Sequence, residues 1–193
     1  MSPRLPLAVF ALSLLAAFPA GAYNALKNGD FNGGITPWNI SGSGGGFGGS
    51  ESYFGSPAGG SLRLQSSAAN ATAHADQCVD TSKWFVFDFS ARKFNNAEGN
   101  GGTHPFKVDF YDGADCGGNI VDTITLPEAG TSVGGNPLTG WIEVSVLGTA
   151  VSADAISAKV SLDAIAGPTG YSYYLMDNVL LIPTDEIFPD NFD

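Results

Sequence analysis

Lys83–Phe94 reads KWFVFDFSARKF, and its alternation decides the fold class. In an extended chain Phe85, Phe87, Phe89 and Ala91 fall on one side, and Trp84, Val86, Asp88, Ser90 and Arg92 on the other. No helical repeat accounts for that order. HPFKVDFYDG sets Phe106, Val108 and Phe110 against Lys107, Asp109 and Tyr111, and WIEVSVLG sets Ile142, Val144 and Val146 against Glu143 and Ser145. SLRLQSS, NIVDTITL, SAKVSLDAI and YSYYLMDNVLLIP supply four more strands of this kind. SADAISAKV tolerates a helical reading, but Ile156, Ala158, Val160 and Leu162 continue one alternating face and favour a strand. Between these runs stand the turn clusters SGSGGGFGG, GSPAGGS, NNAEGNGG, DGADCGG, EAGTSVGGNP and AGPTG. Strands with one apolar face and no helices to cover them must bury those faces on each other, so the expected fold is all-β, a two-sheet antiparallel β-sandwich. NGDFNGGITPW (Asn28–Trp38) reads as a short strand pinned between two turns, with Phe31 as its core residue.

Residues 1–22, MSPRLPLAVFALSLLAAFPAGA, carry Arg4, an apolar run from Leu5 to Phe18 and a small-x-small site before Tyr23, the pattern of an export signal. The run is shorter than the ~20 residues of a membrane span, so a secreted, periplasmic or cell-surface product without membrane insertion is expected. Residues 23–183 form a single expected domain, and residues 184–193, TDEIFPDNFD, an acidic tail. The chain of 193 residues has 8 Lys+Arg against 19 Asp+Glu, a formal charge of −11. Such a field repels phosphate backbones and anionic lipid surfaces, which argues against nucleic acid as a partner. Cys78 and Cys116 are the two cysteines; in an oxidising compartment an even count favours a disulfide, with a pair of free thiols as the other reading.

In order along the chain, LKNGDFNGGITPW, QCVD before FDFSARKF, VDFYDGADCGG, WIEVSV before ISAKVSL, and the closing YYLMDNVLLI resemble galactose-binding-like jelly-roll domains of the carbohydrate-binding-module type. The resemblance covers about Leu26 to Ile182 and implies a two-sheet jelly roll with its first and last strands together. It implies a structural calcium ion near the chain ends, for which Asp30, Asn32 and Asp177 offer oxygen ligands. Asn32 stands where an acidic residue is usual, which weakens the attraction for a cation. The resemblance also implies a Cys78–Cys116 bridge, with one cysteine entering the FDFSA strand and the other following VDFYDG, and so those two strands as near neighbours. The final IFPDNFD is similar to a tail found on exported proteins of some Gram-negative bacteria.

Catalytic signatures are poor. His74 and His104 lack metal-pair spacing, no G-x-S-x-G elbow occurs, and the G-x-G-x-x-G match at Gly44–Gly49 has no helix after it and reads as a flexible loop. Asp88 and Glu143 are the carboxylates to inspect for a hydrolytic pair, with solvated surface as the plainer reading. A sugar site needs flat apolar area for the C–H faces of a pyranose and polar groups for its hydroxyls. Trp84 with Asp88 and Arg92 on one strand face, Tyr111 if the two strands pair, and Tyr53 and Phe54 in a loop-rich stretch form the expected ligand-binding set. The expected function is non-catalytic binding of a polysaccharide or glycan. The alternatives are an adhesive or structural envelope protein and, less favoured, a small glycoside hydrolase or lyase.

Overall fold

The computed structural model describes residues 23–42, 46–49, 60–66, 68–95, 102–126, 141–170 and 172–184. The expected leader, all of the expected tail beyond Thr184, and Tyr53 and Phe54 lie outside the described residues. In chain order the strands are β1 (Asn39–Gly42), β2 (Gly46–Gly49), β3 (Ser61–Ser66), β4 (Thr72–Asp80), β5 (Val86–Asn95), β6 (Phe106–Tyr111), β7 (Ile120–Thr125), β8 (Trp141–Ala150), β9 (Ser157–Ile165) and β10 (Ser172–Pro183). A short 3-10 turn, Ala114–Cys116, lies between β6 and β7. Every strand pairs antiparallel. The first sheet runs β1-β4-β9-β6-β7 and the second β2-β3-β10-β5-β8. Among the described residues no helix is long and apolar enough to cross a membrane.

The expected faces meet between the sheets. Phe87, Phe89 and Ala91 of β5 are buried from one side, and Phe106, Val108 and Phe110 of β6 from the other. The Phe87 and Phe110 rings lie 5.4 Å apart at a tilt of 55°. Aromatic pairs of this geometry stabilise a core beyond the area they bury. Ala158, Val160 and Leu162 complete the buried side of β9, as a strand requires and a helix would not. The strand begins only at Ser157, however, and Ile156, expected on the same face, is 42% exposed in the turn before it.

Several local readings need correction. The alternation of KWFVFDFSARKF does not extend to its start: Phe85 is 49% exposed and Trp84 only 7%. Trp84 N–H donates to the Thr81 carbonyl at 3.0 Å, so a tight turn precedes Val86 and reverses the two side chains. Asn28–Trp38 contains no strand. There the Asn28 amide donates to the carbonyls of Gly34 (2.7 Å) and Thr36 (2.9 Å), and Trp38 Nε1 donates to the Asn28 carbonyl (3.2 Å), knotting the segment into turns. Phe31 still fills the core, 5.5 Å from the Trp38 ring. Gly46–Gly49, read as flexible loop, is edge strand β2 paired to β3, because ladder hydrogen bonds come from the backbone alone.

The resemblance implies first and last strands together, but β1 and β10 lie in different sheets; it is the non-strand segment before β1 that lies against β10. Ala25 N–H donates to Leu181, Val179 N–H donates to Gly29, and the Asn24 amide donates to Val179, so residues 24–29 run along β10. A Cβ on Gly29 would stand 2.1 Å from the Val179 carbonyl oxygen, so only glycine permits this approach. Cys78 and Cys116 form a disulfide with a Cα separation of 6.0 Å across 38 residues. Closing a loop of that length stabilises the fold by about 4 kcal/mol in the chain-entropy account. Cys78, however, lies near the end of β4 in the first sheet and does not enter β5. The bridge therefore crosses over β9 within one sheet, and β5 and β6 lie in different sheets.

Candidate functional site

The sheet assignment disperses the expected ligand-binding set. Tyr111 belongs to the first sheet, and Asp88 and Arg92 to the second. Trp84 packs into the core. Asp88 acts structurally, because its carboxylate accepts from Gly148 N–H at 2.7 Å where the β5–β8 register shifts between Phe87 and Phe89. Arg92 pairs with Glu143 at 3.4 Å on an exposed surface. Asp88 and Glu143 are thus each engaged separately and do not stand as a free pair for hydrolysis.

The polar residues that do converge are on the outer face of the first sheet. β4 points Ala73, Ala75 and Gln77 inward, which leaves His74, Asp76 and Cys78 outward. Register then assembles the face. Asn39 of β1 stands beside Asp76, and its amide donates to Asp76 Oδ1 at 3.2 Å. His74 stands opposite Asp163 of β9; its Nδ1 hydrogen-bonds Asp163 Oδ1, and its Nε2 lies 3.2 Å from Asp76 Oδ2. The imidazole is therefore held between two carboxylates, and the hydrogen bond to Asp163 raises its pKa above the ordinary 6.5 against the opposing effect of burial.

Further across, Lys107 Nζ lies 2.8 Å from Asp109 Oδ2, and Thr123 Oγ1 donates to Asp109 Oδ1 at 2.7 Å. Lys159 Nζ sits 5.3 Å from the centre of the Tyr111 ring. Its hydrogen bond to the Tyr111 side chain raises the lysine pKa, so the ammonium stays charged. Beyond Tyr111 the β6–β7 turn folds over the end of the face: Cys116 N–H donates to Ser157 Oγ (2.9 Å), which donates to the Gly113 carbonyl (2.6 Å). The result is a surface of carboxylate, ammonium, imidazole, amide and hydroxyl groups already oriented by one another, suited to hydrogen-bonding several hydroxyls at once. At its β1 side it adjoins a cavity of about 470 Å³ whose walls include Asn39, Asp80 and Trp84.

Of this face the sequence reading singled out Tyr111 as a ligand contact. His74 and Asp76 carry a legible signal in TAHADQCVD, where Ala73 and Ala75 alternate with them; alanine is a weak hydrophobic marker, and the strand passes unnoticed. Asp163 lies 89 residues from His74, and nothing local joins them.

For the calcium expected at Asp30, Asn32 and Asp177, the donors are all oxygens and suit a hard cation. Asp30 and Asp177 lie one and two residues from the Gly29–Val179 contact. Asp177 is fully buried and accepts from Asn178 N–H at 2.6 Å; Asp30 Oδ2 accepts the Asn32 amide at 2.7 Å. Among the described residues no group of three or more His, Cys, Asp or Glu side chains is placed to hold a metal ion.

No family model matches the chain, and no curated protein matches its sequence. Solved structures do. The enzymatically active domain of tailspike protein 4 from bacteriophage CBA120 superposes with a TM-score of 0.59 at 18% identity, over 82% of this chain and 21% of that one. The chain thus spans about a fifth of that domain's length. A family 61 carbohydrate-binding module, TmCBM61, solved with β-1,4-galactotriose, gives 0.53 at 19% identity over 82% and 97% of the two chains. The CBM22-1 xylan-binding domain of Paenibacillus barcinonensis Xyn10C gives 0.52 at 18% identity over 81% and 92%. The chain has the two-sheet jelly-roll sandwich of β-sandwich carbohydrate-binding modules.

Proposed function

We propose that this is a secreted, non-catalytic glycan-binding module that uses the outer face of the first sheet. The observation that carries the reading is the continuous array Asn39–Asp76–His74–Asp163 across three strands, extended by Lys107, Asp109, Lys159 and Tyr111. Its groups bond one another and are oriented before any ligand arrives, which lowers the ordering cost of binding. Module-sized structural relatives named for galactotriose and xylan support the ligand class, as fold analogy only. The leader and the disulfide support export. A structural calcium ion at Asp30, Asn32 and Asp177 belongs to the same proposal.

A glycan array with and without chelator tests both parts. The expected result is binding to at least one polysaccharide with a Kd of roughly micromolar to millimolar order, as for an open polar surface. Asp76→Asn weakens it by about tenfold. Chelation is expected to lower the Tm. An array blank at every glycan with calcium supplied removes the binding reading, and an unchanged Tm removes the ion.

Adhesion without sugar binding is the second reading, favoured by the exposed Phe85, Ile120, Leu147 and Ile156. Capture of envelope protein by a chain that ignores all glycans would establish it.

A further inference from the structure

β4 continues past its last pairing with β1, at Asn39 and Asp76, so that among the described residues Gln77–Asp80 has a strand partner only in β9. The segment after Tyr23 covers this open edge. Gln77 fastens it by exchanging two hydrogen bonds with the Lys27 backbone, accepting from N–H at 2.7 Å and donating to the carbonyl at 2.9 Å. Two residues earlier Ala25 N–H donates to Leu181 of β10 at 2.8 Å. The segment is therefore tied to both sheets and closes the sandwich at this edge. Between it and β4 lies the cavity of about 470 Å³, with Tyr23, Lys27, Pro37, Asn39, Asp80 and Trp84 among its walls. Two smaller cavities, of about 170 and 220 Å³, also border Asp80.

We propose that this edge cavity receives the terminal residue of a bound glycan, so that the module recognises chain ends. The inference rests on the glycan-binding reading and deepens it. The cavity's volume falls within the ~300–1,000 Å³ of small-ligand sites. Tyr23 and Pro37 provide apolar surface for the C–H face of a pyranose, with the buried Trp84 behind them at the cavity wall, and Asn39 and Asp80 provide an amide and a carboxylate for its hydroxyls. Asp80 accepts from Ser82 N–H at 2.9 Å, which holds its pKa below the ordinary carboxylate value and keeps it an acceptor. Asn39 belongs to both surfaces: it lines the cavity and donates to Asp76 on the polar face. A glycan lying across the face toward β1 thus enters the cavity and meets the strap fixed by Gln77 and Leu181. Through Tyr23, Ala25 and Lys27 the strap forms one wall of the cavity, and in this proposal that wall ends the run of the glycan.

The test uses beechwood xylan and a linear β-1,4-galactan, each intact and after limited endo-cleavage that multiplies chain ends at constant mass. Bound protein per milligram is expected to rise in proportion to the number of ends, about tenfold for a tenfold shortening of the chains. Tyr23→Ala and Asp80→Asn, both at exposed positions and checked for unchanged Tm, are expected to abolish that rise. Capacity that tracks mass alone, with both variants binding as the parent does, overturns chain-end recognition and leaves glycan binding standing. Absence of binding to every intact and cleaved preparation overturns chain-end recognition, and a glycan array blank as well overturns glycan binding with it.

Discussion

His74 and His104 lie in opposite electrical surroundings, and the contrast separates the two surfaces of one sandwich layer. His74 stands on the outer face, partly exposed, with a carboxylate at each ring nitrogen. His104 is 3% exposed inside the sandwich, stacked 4.2 Å from the Tyr174 ring. Neither of its nitrogens has a hydrogen-bond partner among the described residues. Burial, with the nearby Lys93 charge, pushes its pKa down to about 3. Lys93 is itself 2% exposed, with its ammonium 5.7 Å from the centre of the Phe106 ring. One histidine is held ready to be charged and the other is held neutral. Polarity on the face is organised, whereas polarity in the core is tolerated.

The sharpest break of this contrast is a cavity in the core that leaves the face intact. Phe110→Ala is expected to cost about 3–5 kcal/mol in urea unfolding, with the glycan affinity of the folded fraction unchanged. A loss under about 1 kcal/mol would show that the aromatic layer is not the core.

His104 comes next. Its folded pKa lies below the unfolded 6.5, so its contribution is fully present above that value and is lost as pH falls toward about 3. His104→Leu is expected to flatten the decline in urea midpoint between about pH 6.5 and about pH 4; an unchanged decline would place the acid sensitivity elsewhere.

His74 has the opposite sign. With its pKa raised in the folded state, its contribution is complete below 6.5 and disappears as pH rises through the folded value. His74→Gln is expected to remove about 1 kcal/mol at about pH 5.5 and less at about pH 8, since the group is only partly buried. NMR titration of the His74 ring to a pKa below 6.5 would contradict the carboxylate clamp.

The smallest effect belongs to the second sheet. Arg92→Ala breaks one exposed ion pair with Glu143 and is expected to change stability by less than about 0.5 kcal/mol and glycan binding not at all. A clear loss of binding would move the site to that sheet.

Much of this architecture is legible along the chain, and the failures have physical causes. The Phe rows of β5 and β6 announce buried faces because bulky side chains mark period two strongly. β2, GFGG, is built largely from residues without side chains, so no pattern exists to read. β4 hides behind alanines. Trp84 and Phe85 exchange roles because a turn at Thr81 interrupts the alternation just before Val86. The candidate site suffers more than the fold. Trp84, Asp88 and Arg92 share a sequence phase, yet one enters the core, one serves the irregularity opposite Gly148 and one joins Glu143.

The amino-acid order by itself determined that the chain would form ribbons with one greasy side and that two layers would hide those sides from water. Burial of apolar area depends on local alternation, which the chain carries in its long strands. Only the tertiary structure decided that β5 and β6 face each other from different sheets, and that His74, Asp76 and Asp163 meet. Backbone hydrogen bonds are alike for every strand. The choice of neighbour and register therefore rests on the packing of the whole sandwich, and with it the choice of which polar groups become a site.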